Sequence, residues 1–226
     1  MEMGESGISN AVTKVRTVRV LLATAVSVTL TLCAGCAGGS WAAYYDRGTS
    51  YLAKGDPDSA IRELNRAIEV KPDYADAYNS RGVAHILKGD LSGASADFSR
   101  AIELKPDYVE AHNNRGSAHE ARGDLNRAMQ DYNRAIELRP GDAEAYYNRG
   151  LVYLKKGDPD RAIQDYNRAI EFKLGDAHAC YKRARARYEM GAYDKASQDV
   201  KICQKQGYPV PESFLNDLRK ASGRQE

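Results

Sequence analysis

The residues that could do chemistry in this chain recur 34 positions apart instead of converging. Asp76, Glu110 and Glu144 are carboxylates of the kind that acid–base catalysis uses, and each stands at the start of a predicted helix, where the helix dipole favours an acid. No nucleophile stands beside a base, and the sequence has no glycine-rich phosphate loop. We therefore expect no catalytic residues, no cofactor and a function that is not enzymatic.

The histidines follow the same period. His85 and His119 occupy a place where Tyr51 and Tyr153 stand in other parts of the chain. This equivalence predicts packing residues of aromatic type, and the cysteines form no paired Cys-x-x-Cys motifs with histidine ligands. We therefore expect no metal site.

Two cysteines leave alternatives open. Cys180 and Cys203 lie on the two predicted helices of one stretch of the chain. Outside the cytoplasm they would form a disulfide if their Cα atoms approach within about 7 Å. The alternative is a pair of small buried thiols, since Cys203 takes a position that is alanine elsewhere in the chain.

Composition excludes several classes of protein. The chain has 226 residues, of which 42% are hydrophobic and 28% charged, with a net charge of +2. The near-neutral charge argues against binding to nucleic acid, and a mean hydropathy of −0.61 excludes a polytopic membrane protein. The apolar fraction is too high for a wholly disordered chain, and the length fits one or two ordinary domains.

The beginning of the chain has the layout of an export signal. Lys14, Arg16 and Arg19 precede an uncharged stretch at 20–32, and small residues follow at 33–40. A helix of that stretch would span about 20 Å, which is short of a bilayer core of about 30 Å. The basic flank predicts that the rest of the chain is exported and faces the periplasm or the cell exterior.

The segment 34–36 (AGC) resembles the lipobox of bacterial lipoproteins, in which a cysteine is acylated and becomes the mature N-terminus. The resemblance departs at Cys33, where leucine is usual. It implies a lipoprotein-type signal over 1–35, lipidation of Cys36, and a small-residue tether at 36–40 that holds the chain at a membrane. Two alternatives stay open, namely cleavage of a plain signal just after this segment and an uncleaved membrane anchor.

A 34-residue period organises the rest of the chain. Arg-Gly begins at 47, 81, 115 and 149, and Arg-Ala-Ile-Glu begins at 66, 100, 134 and 168. Self-similarity of this kind is the signature of a repeat protein. The period divides 41–210 into five repeats, at 41–74, 75–108, 109–142, 143–176 and 177–210.

Each repeat predicts two helices joined by a turn. In repeat two, Gly89 ends the first helix and Asp90 caps the second, a contribution of about 1 kcal/mol. At the end of the chain, Phe214 and Leu218 form an apolar stripe in a predicted capping helix and tail at 211–226. We therefore predict an all-α chain.

The pattern resembles the tetratricopeptide repeat (TPR) family over 41–210. The resemblance rests on small residues at repeat positions 8, 20 and 27, represented by Gly82, Ala94 and Ala101, and on aromatic residues near positions 4, 11 and 24. It implies an α-solenoid, a right-handed superhelix of five helix-turn-helix units whose stacking buries a continuous core.

An arginine at position 7 and an acid at position 23 recur together in every repeat. Because the two positions lie on different helices, we predict structural ion pairs, each contributing about 0.2–1 kcal/mol where exposed. The alternative is a row of arginines for an anionic ligand. The predicted pairs are Arg81 with Asp97, Arg115 with Asp131, and Arg149 with Asp165.

The family resemblance also implies a partner-binding groove. First helices of TPR proteins line a concave groove for extended peptides, and asparagines there pair with a peptide backbone. Some members of the family bind the C-terminal carboxylate of a peptide through a lysine. The equivalent position in this chain carries an acid, as at Asp76, so we do not expect binding of a C-terminal carboxylate. The groove positions fall here on Tyr45, Asn79, Asn113, Asn114, Tyr147, Asn148 and Tyr181.

These observations predict a non-catalytic adaptor that is tethered to the bacterial cell envelope and recruits a protein or peptide partner. We expect it to bind that partner and to be held at a membrane, and we do not expect it to bind nucleic acid. The alternative is a structural oligomer of the envelope that forms by self-association.

Overall fold

The computed structural model describes residues 39–173 and 177–223, and these ranges contain eleven helices and no strand. The predicted all-α class is therefore confirmed, whereas the predicted export signal and Cys36 lie outside the described residues. The helices are α1 Trp41–Lys54, α2 Pro57–Val70, α3 Ala75–Leu87, α4 Leu91–Leu104, α5 Val109–Ala121, α6 Leu125–Leu138, α7 Ala143–Lys155, α8 Pro159–Phe172, α9 Ala177–Glu189, α10 Tyr193–Lys205 and α11 Glu212–Ala221.

The chain divides into two compact units, which meet in sequence between Asp124 and Leu125, in the turn of repeat three. Unit 1 contains α1 to α5, and unit 2 contains α6 to α11. Within each unit every helix packs against the next one along the chain. Each unit is therefore a stack of sequential helices, as expected for repeats that bury their apolar faces against their neighbours.

The Gly-Asp dipeptides end one helix and begin the next. Gly89 has φ of 78°, in the left-handed region that favours glycine. The Asp90 carboxylate then accepts the backbone N–H of Gly93 at 2.9 Å and caps α4. Asp56 and Asp158 cap α2 and α8 in the same way. The recurrent dipeptide thus sets where the two helices of a repeat separate.

The two helices of a repeat approach closely where position 8 is glycine. A Cβ added to Gly82 would lie 2.6 Å from the Phe98 ring, and one added to Gly150 would lie 2.7 Å from the Tyr166 ring. Alanines at position 20, such as Ala94, are fully buried beside these contacts. Small residues on one helix therefore make room for a large ring on the other.

Aromatic residues pack against the first helices of unit 1 and against the last helices of unit 2. In unit 1, the Trp41 and Tyr45 rings contact the Tyr74 ring edge-on, with centroids 4.6 Å and 5.0 Å away. In unit 2, the predicted capping helix is present as α11, and its Phe214 and Leu218 pack on the buried core of repeat five. No helix among the described residues is both long enough and apolar enough to cross a membrane.

Candidate functional site

The arginines at position 7 join helices both within and between repeats. The Arg81 guanidinium donates to both carboxylate oxygens of Asp97, at 2.6 Å and 2.8 Å. Its third hydrogen bond, at 2.7 Å, goes to the amide oxygen of Asn65 in the preceding repeat. The planar guanidinium suits this forked arrangement, in which one side chain holds three helices together.

The same arrangement recurs in unit 2. Arg149 donates to Asp165 at 2.8 Å through two nitrogens and to Asn133 at 2.8 Å. Arg183 donates to Asp199 at 2.7 Å and 3.0 Å and to Asn167 at 2.6 Å. Three repeats in two units thus share one contact pattern.

The first and third repeats carry related contacts. In repeat one, Arg47 pairs with Glu63 at 2.5 Å. In repeat three, Arg115 donates to the Ser99 hydroxyl of the preceding repeat at 3.1 Å. The predicted partner of Arg115, Asp131, belongs to the other unit, and that pair stays a prediction.

These contacts favour a structural role for the arginines over a row that binds an anionic ligand. Hydrogen bonding to Asp97 and Asp165 raises the pKa of Arg81 and Arg149, respectively. Sequence reasoning missed the partner in the preceding repeat, although a signal was present. Position 25 of the first four repeats is always a small hydrogen-bonding residue, namely Asn65, Ser99, Asn133 and Asn167.

The histidine at position 11 of repeat two is more polar in its contacts than an aromatic packing residue. His85 Nδ1 lies 3.0 Å from a carboxylate oxygen of Asp90, and Nε2 lies 3.8 Å from one of Asp97. Position 11 therefore faces the acid at position 23. His119 is buried, as expected of a packing residue. No cluster of three metal-ligating side chains occurs in the part of the chain that the structure describes.

The first helices of unit 1 carry an accessible polar face. We call the face formed by Tyr45, Asp76, Asn79, Ser80 and Asn114 the polar face of unit 1; all five are half-buried. The Asn114 amide nitrogen donates to the Asn79 amide oxygen at 3.0 Å. This bond joins adjacent repeats and leaves the Asn79 nitrogen and the Asn114 oxygen able to pair with a peptide backbone.

Tyrosine hydroxyls concentrate around one carboxylate of this face. Asp76 lies near Tyr74 and Tyr108 and helps to raise the pKa of both, and the Tyr45 ring contacts the Tyr74 ring. Burial, followed by these contacts, raises the pKa of Tyr74 and Tyr108. The hydroxyls therefore stay protonated, and the acidic side chain of Asp76 gives this end of the face an anionic character.

The remaining groove predictions fall on less accessible side chains. Asn113 is 4% exposed, Asn148 is fully buried and Tyr181 is 8% exposed. Tyr181 packs between Tyr208 and Phe214, which also explains why burial raises its pKa. As placed, these three side chains offer little surface to a partner, because they fill space between helices. Tyr147 is half-buried, with its ring 5.9 Å from that of Tyr166.

The two predicted disulfide residues are buried free thiols in the structure. Cys180 is 1% exposed and Cys203 is fully buried, on the two facing helices of repeat five. Hydrogen bonding to Cys180 and burial raise the pKa of the Cys203 thiol. The two thiols are therefore unbonded here and belong to one buried core cluster, and their pairing as a disulfide stays a prediction.

Comparison with known families agrees with the repeat architecture. Models described as tetratricopeptide repeat match residues 45–108 and 143–173, and one described as TPR repeat matches 120–157. Together they span just over half of the chain. The chain belongs to the tetratricopeptide repeat family. No curated protein matches it in sequence.

Several solved structures have the same fold. The crystal structure of MamA is 28% identical, covering 71% of this chain and 94% of MamA, with a TM-score of 0.64. PilF of Pseudomonas aeruginosa is 22% identical, covering 81% of this chain and 84% of pilF, with a TM-score of 0.74. YrrB, a TPR protein with an unusual peptide-binding site, is 20% identical over 72% of this chain and 84% of YrrB, with a TM-score of 0.58. The fold and the family define a protein-interaction scaffold of the TPR class.

Proposed function

We propose that this chain is a non-catalytic adaptor of the bacterial cell envelope that binds an extended segment of a partner protein on the polar face of unit 1. The observation that carries the proposal is the Asn79–Asn114 pair, which spans two repeats and offers both a donor and an acceptor. Extended peptides present such groups along their backbone. The peptide-binding site of YrrB, a protein of the same fold, supports this use of a TPR array.

The charge of this face favours a partner segment that carries basic residues. The carboxylate of Asp76 lies among tyrosine hydroxyls, and Asp46 and Glu110 add negative charge near the same tyrosines. A lysine or arginine side chain would gain from both the carboxylates and the aromatic rings. Association should therefore weaken as the salt concentration rises.

A photocrosslinking amino acid tests the location of the partner site. Placed at Asn79 in the full chain in native membranes, it should give a distinct adduct, which mass spectrometry identifies. Placed at the exposed Gln198 of α10, it should give none. Equal adducts from both positions would contradict the assignment.

Affinity for the identified segment then tests the role of the asparagines. A double variant with Asn79→Ala and Asn114→Ala should bind the segment at least about 10-fold more weakly, because two polar contacts to the backbone are lost. The matched control, Gln198→Ala with Gln204→Ala, removes two exposed amides elsewhere and should bind normally. Unchanged affinity of the asparagine variant, with helicity intact, would discard the polar face as the site.

The envelope tether rests on the sequence alone. The basic residues, the apolar stretch and the lipobox-like segment before Cys36 support export and lipidation. A Cys36→Ser chain should lose labelling by palmitate and shift from the membrane to the soluble fraction. If it is labelled and fractionates like the parent, lipidation at Cys36 is wrong.

Self-association is the second candidate, and the distribution of charge favours it. Residues 39–124 carry 14 acidic and 11 basic side chains, whereas 125–226 carry 15 acidic and 19 basic ones. Opposite net charges allow the first part of one copy to attract the second part of another. Light scattering of residues 41–226 at low and high salt tests this, and a monomer under both conditions would remove the oligomer.

A further inference from the structure

Repeat five carries two cysteines at positions where the other repeats carry an aromatic ring and an alanine. Position 27 is alanine in the other four repeats and Cys203 here. Position 4 is Cys180 here, whereas the other repeats carry an aromatic ring, namely Tyr44, Tyr78, His112 and Tyr146. The exchange brings two thiols onto facing helices at the one place in the array where both positions changed.

The structure places the two thiols in the same buried core. Helices α9 and α10 pack against each other, and Cys180 and Cys203 belong to one buried core cluster, which Phe214 and Leu218 of the capping helix complete. The neighbouring Cys180 thiol is also the first cause that raises the pKa of Cys203. Two thiols buried together between packed helices can form a disulfide where their Cα atoms lie about 4.4–6.8 Å apart.

We propose that Cys180 and Cys203 are a disulfide-forming pair that locks the two helices of repeat five once the chain enters an oxidising compartment. The inference rests on the proposed export only for the source of the oxidant. The pairing itself depends on the packing of α9 against α10.

The chemistry is ordinary thiol–disulfide exchange. The thiolate of one cysteine attacks the disulfide of an oxidant, which is glutathione disulfide or a thiol–disulfide oxidoreductase, and a mixed disulfide forms as one thiolate leaves. The second cysteine then attacks the mixed disulfide and releases the other thiolate. In the net reaction the two cysteines lose two protons and two electrons, and the oxidant disulfide becomes two thiols.

Burial determines when this exchange is possible. Neither sulfur is accessible to a protein oxidant in the folded chain, since the residues are 1% and 0% exposed. The neighbouring Cys180 thiol and burial also raise the pKa of Cys203, so little thiolate is present at neutral pH. The bond should therefore form during folding, before α11 covers the pair, and should then resist reduction.

Refolding tests the inference. The full chain is reduced in guanidinium chloride, refolded in a glutathione redox buffer, alkylated and digested with trypsin without reductant. We expect peptides 174–182 and 202–205 to be joined and unalkylated, and the oxidised protein to melt at least about 5 °C above the reduced one. Native reduced protein exposed to the same buffer should form the same link more than about 10-fold more slowly, because α11 excludes the oxidant.

The Cys203→Ala chain is the matched control, since alanine occupies this position in the other repeats. It should fold, lack the joined peptides, and melt at the same temperature in oxidising and reducing buffer. Recovery of both peptides alkylated, or each carrying glutathione, from refolded parent protein would overturn the inference. Failure of export in cells, with the link still forming in vitro, would overturn the envelope proposal and leave the disulfide pair standing.

Discussion

Repeats two (75–108) and five (177–210) share one contact and differ around it. In both, the arginine at position 7 holds the acid at position 23 and an asparagine of the preceding repeat, through Arg81 in one and Arg183 in the other. The neighbouring positions 8, 11 and 14 carry different residues. The repeat period therefore determines which positions meet, and the individual side chains determine how strongly each contact contributes.

The acid at position 23 accepts hydrogen bonds from more arginines in repeat five than in repeat two. Asp199 accepts hydrogen bonds from Arg183 and from Arg187 at position 11, and it is 1% exposed. In repeat two, His85 takes position 11 and its nearest ring nitrogen lies 3.8 Å from Asp97. Removing Asp199 would leave two poorly solvated guanidinium groups without their carboxylate, whereas removing Asp97 would leave one.

The largest predicted effect follows from this difference. Asp199→Ala should lower the free energy of unfolding by about 3 kcal/mol, because it leaves uncompensated buried charge. Asp97→Ala should cost about 2 kcal/mol, and Arg185→Ala, which breaks a 3.8 Å exposed pair with Glu189, less than about 0.5 kcal/mol. Urea unfolding followed by circular dichroism measures all three, and equal losses for the two aspartates would remove the distinction between the repeats.

The two repeats also differ in how their helices fit together. Gly82 faces Phe98 in repeat two, and Ala184 takes the equivalent position in repeat five, where Val200 stands in place of the ring. A smaller residue on the second helix leaves room for one more carbon on the first. Size complementarity between positions 8 and 24 therefore differs between the repeats while their separation in sequence stays the same.

The second prediction tests this complementarity. Gly82→Ala should destabilise unit 1 by about 2 kcal/mol, because its Cβ would lie 2.6 Å from a buried ring, and this outweighs the higher helix propensity of alanine. Ala184→Gly should cost about 2 kcal/mol, because glycine has the lower helix propensity and a fully buried methyl group is lost. Thermal unfolding measures both variants.

A double variant provides the control. Gly82→Ala combined with Phe98→Val reproduces the pair found in repeat five, and it should be at least about 1 kcal/mol more stable than the sum of the single losses predicts. Strict additivity would show that the ring and the glycine do not constrain each other.

The sequence predicted the helices well because their signals are local and repeated. Gly89 and Asp90 mark the end of one helix and the cap of the next, and both act through their own backbone or nearest N–H groups. Ion pairs within a repeat were also foreseeable, since both partners recur together. The bond from Arg81 to Asn65 was not foreseen, because it joins two repeats and depends on how one repeat packs on the next.

The candidate site was harder to predict than the fold. Family positions put Asn79, Asn114 and Asn148 in one groove, but a position does not give the exposure of its side chain. Asn148 is fully buried, whereas Asn79 and Asn114 are half-buried and bonded to each other. Burial depends on the size of every neighbour, so a repeat pattern identifies the helix face and leaves the accessible residues to the structure.

The smallest predicted effect concerns position 14, where a lysine in repeats two and four pairs with a residue of the preceding repeat. Lys88 pairs with Asp58 at 2.5 Å, and Lys156 donates to Asn126 at 2.7 Å, each 30 residues away at position 18 of the preceding repeat. Repeat five has Met190 at position 14, where it is 44% exposed. Position 18 of the preceding repeat is the exposed Asp160.

Met190→Lys should therefore create an ion pair with Asp160. This pair should raise the free energy of unfolding by about 0.5 kcal/mol at low salt, since exposed ion pairs contribute little. The gain should disappear in 1 M salt, where the Debye length is about 3 Å. Met190→Gln has a similar size without the charge and separates the ion pair from the removal of an exposed apolar group. If Met190→Lys and Met190→Gln are equally stable at low salt, a lysine at position 14 of repeat five does not pair with the preceding repeat as Lys88 does in repeat two.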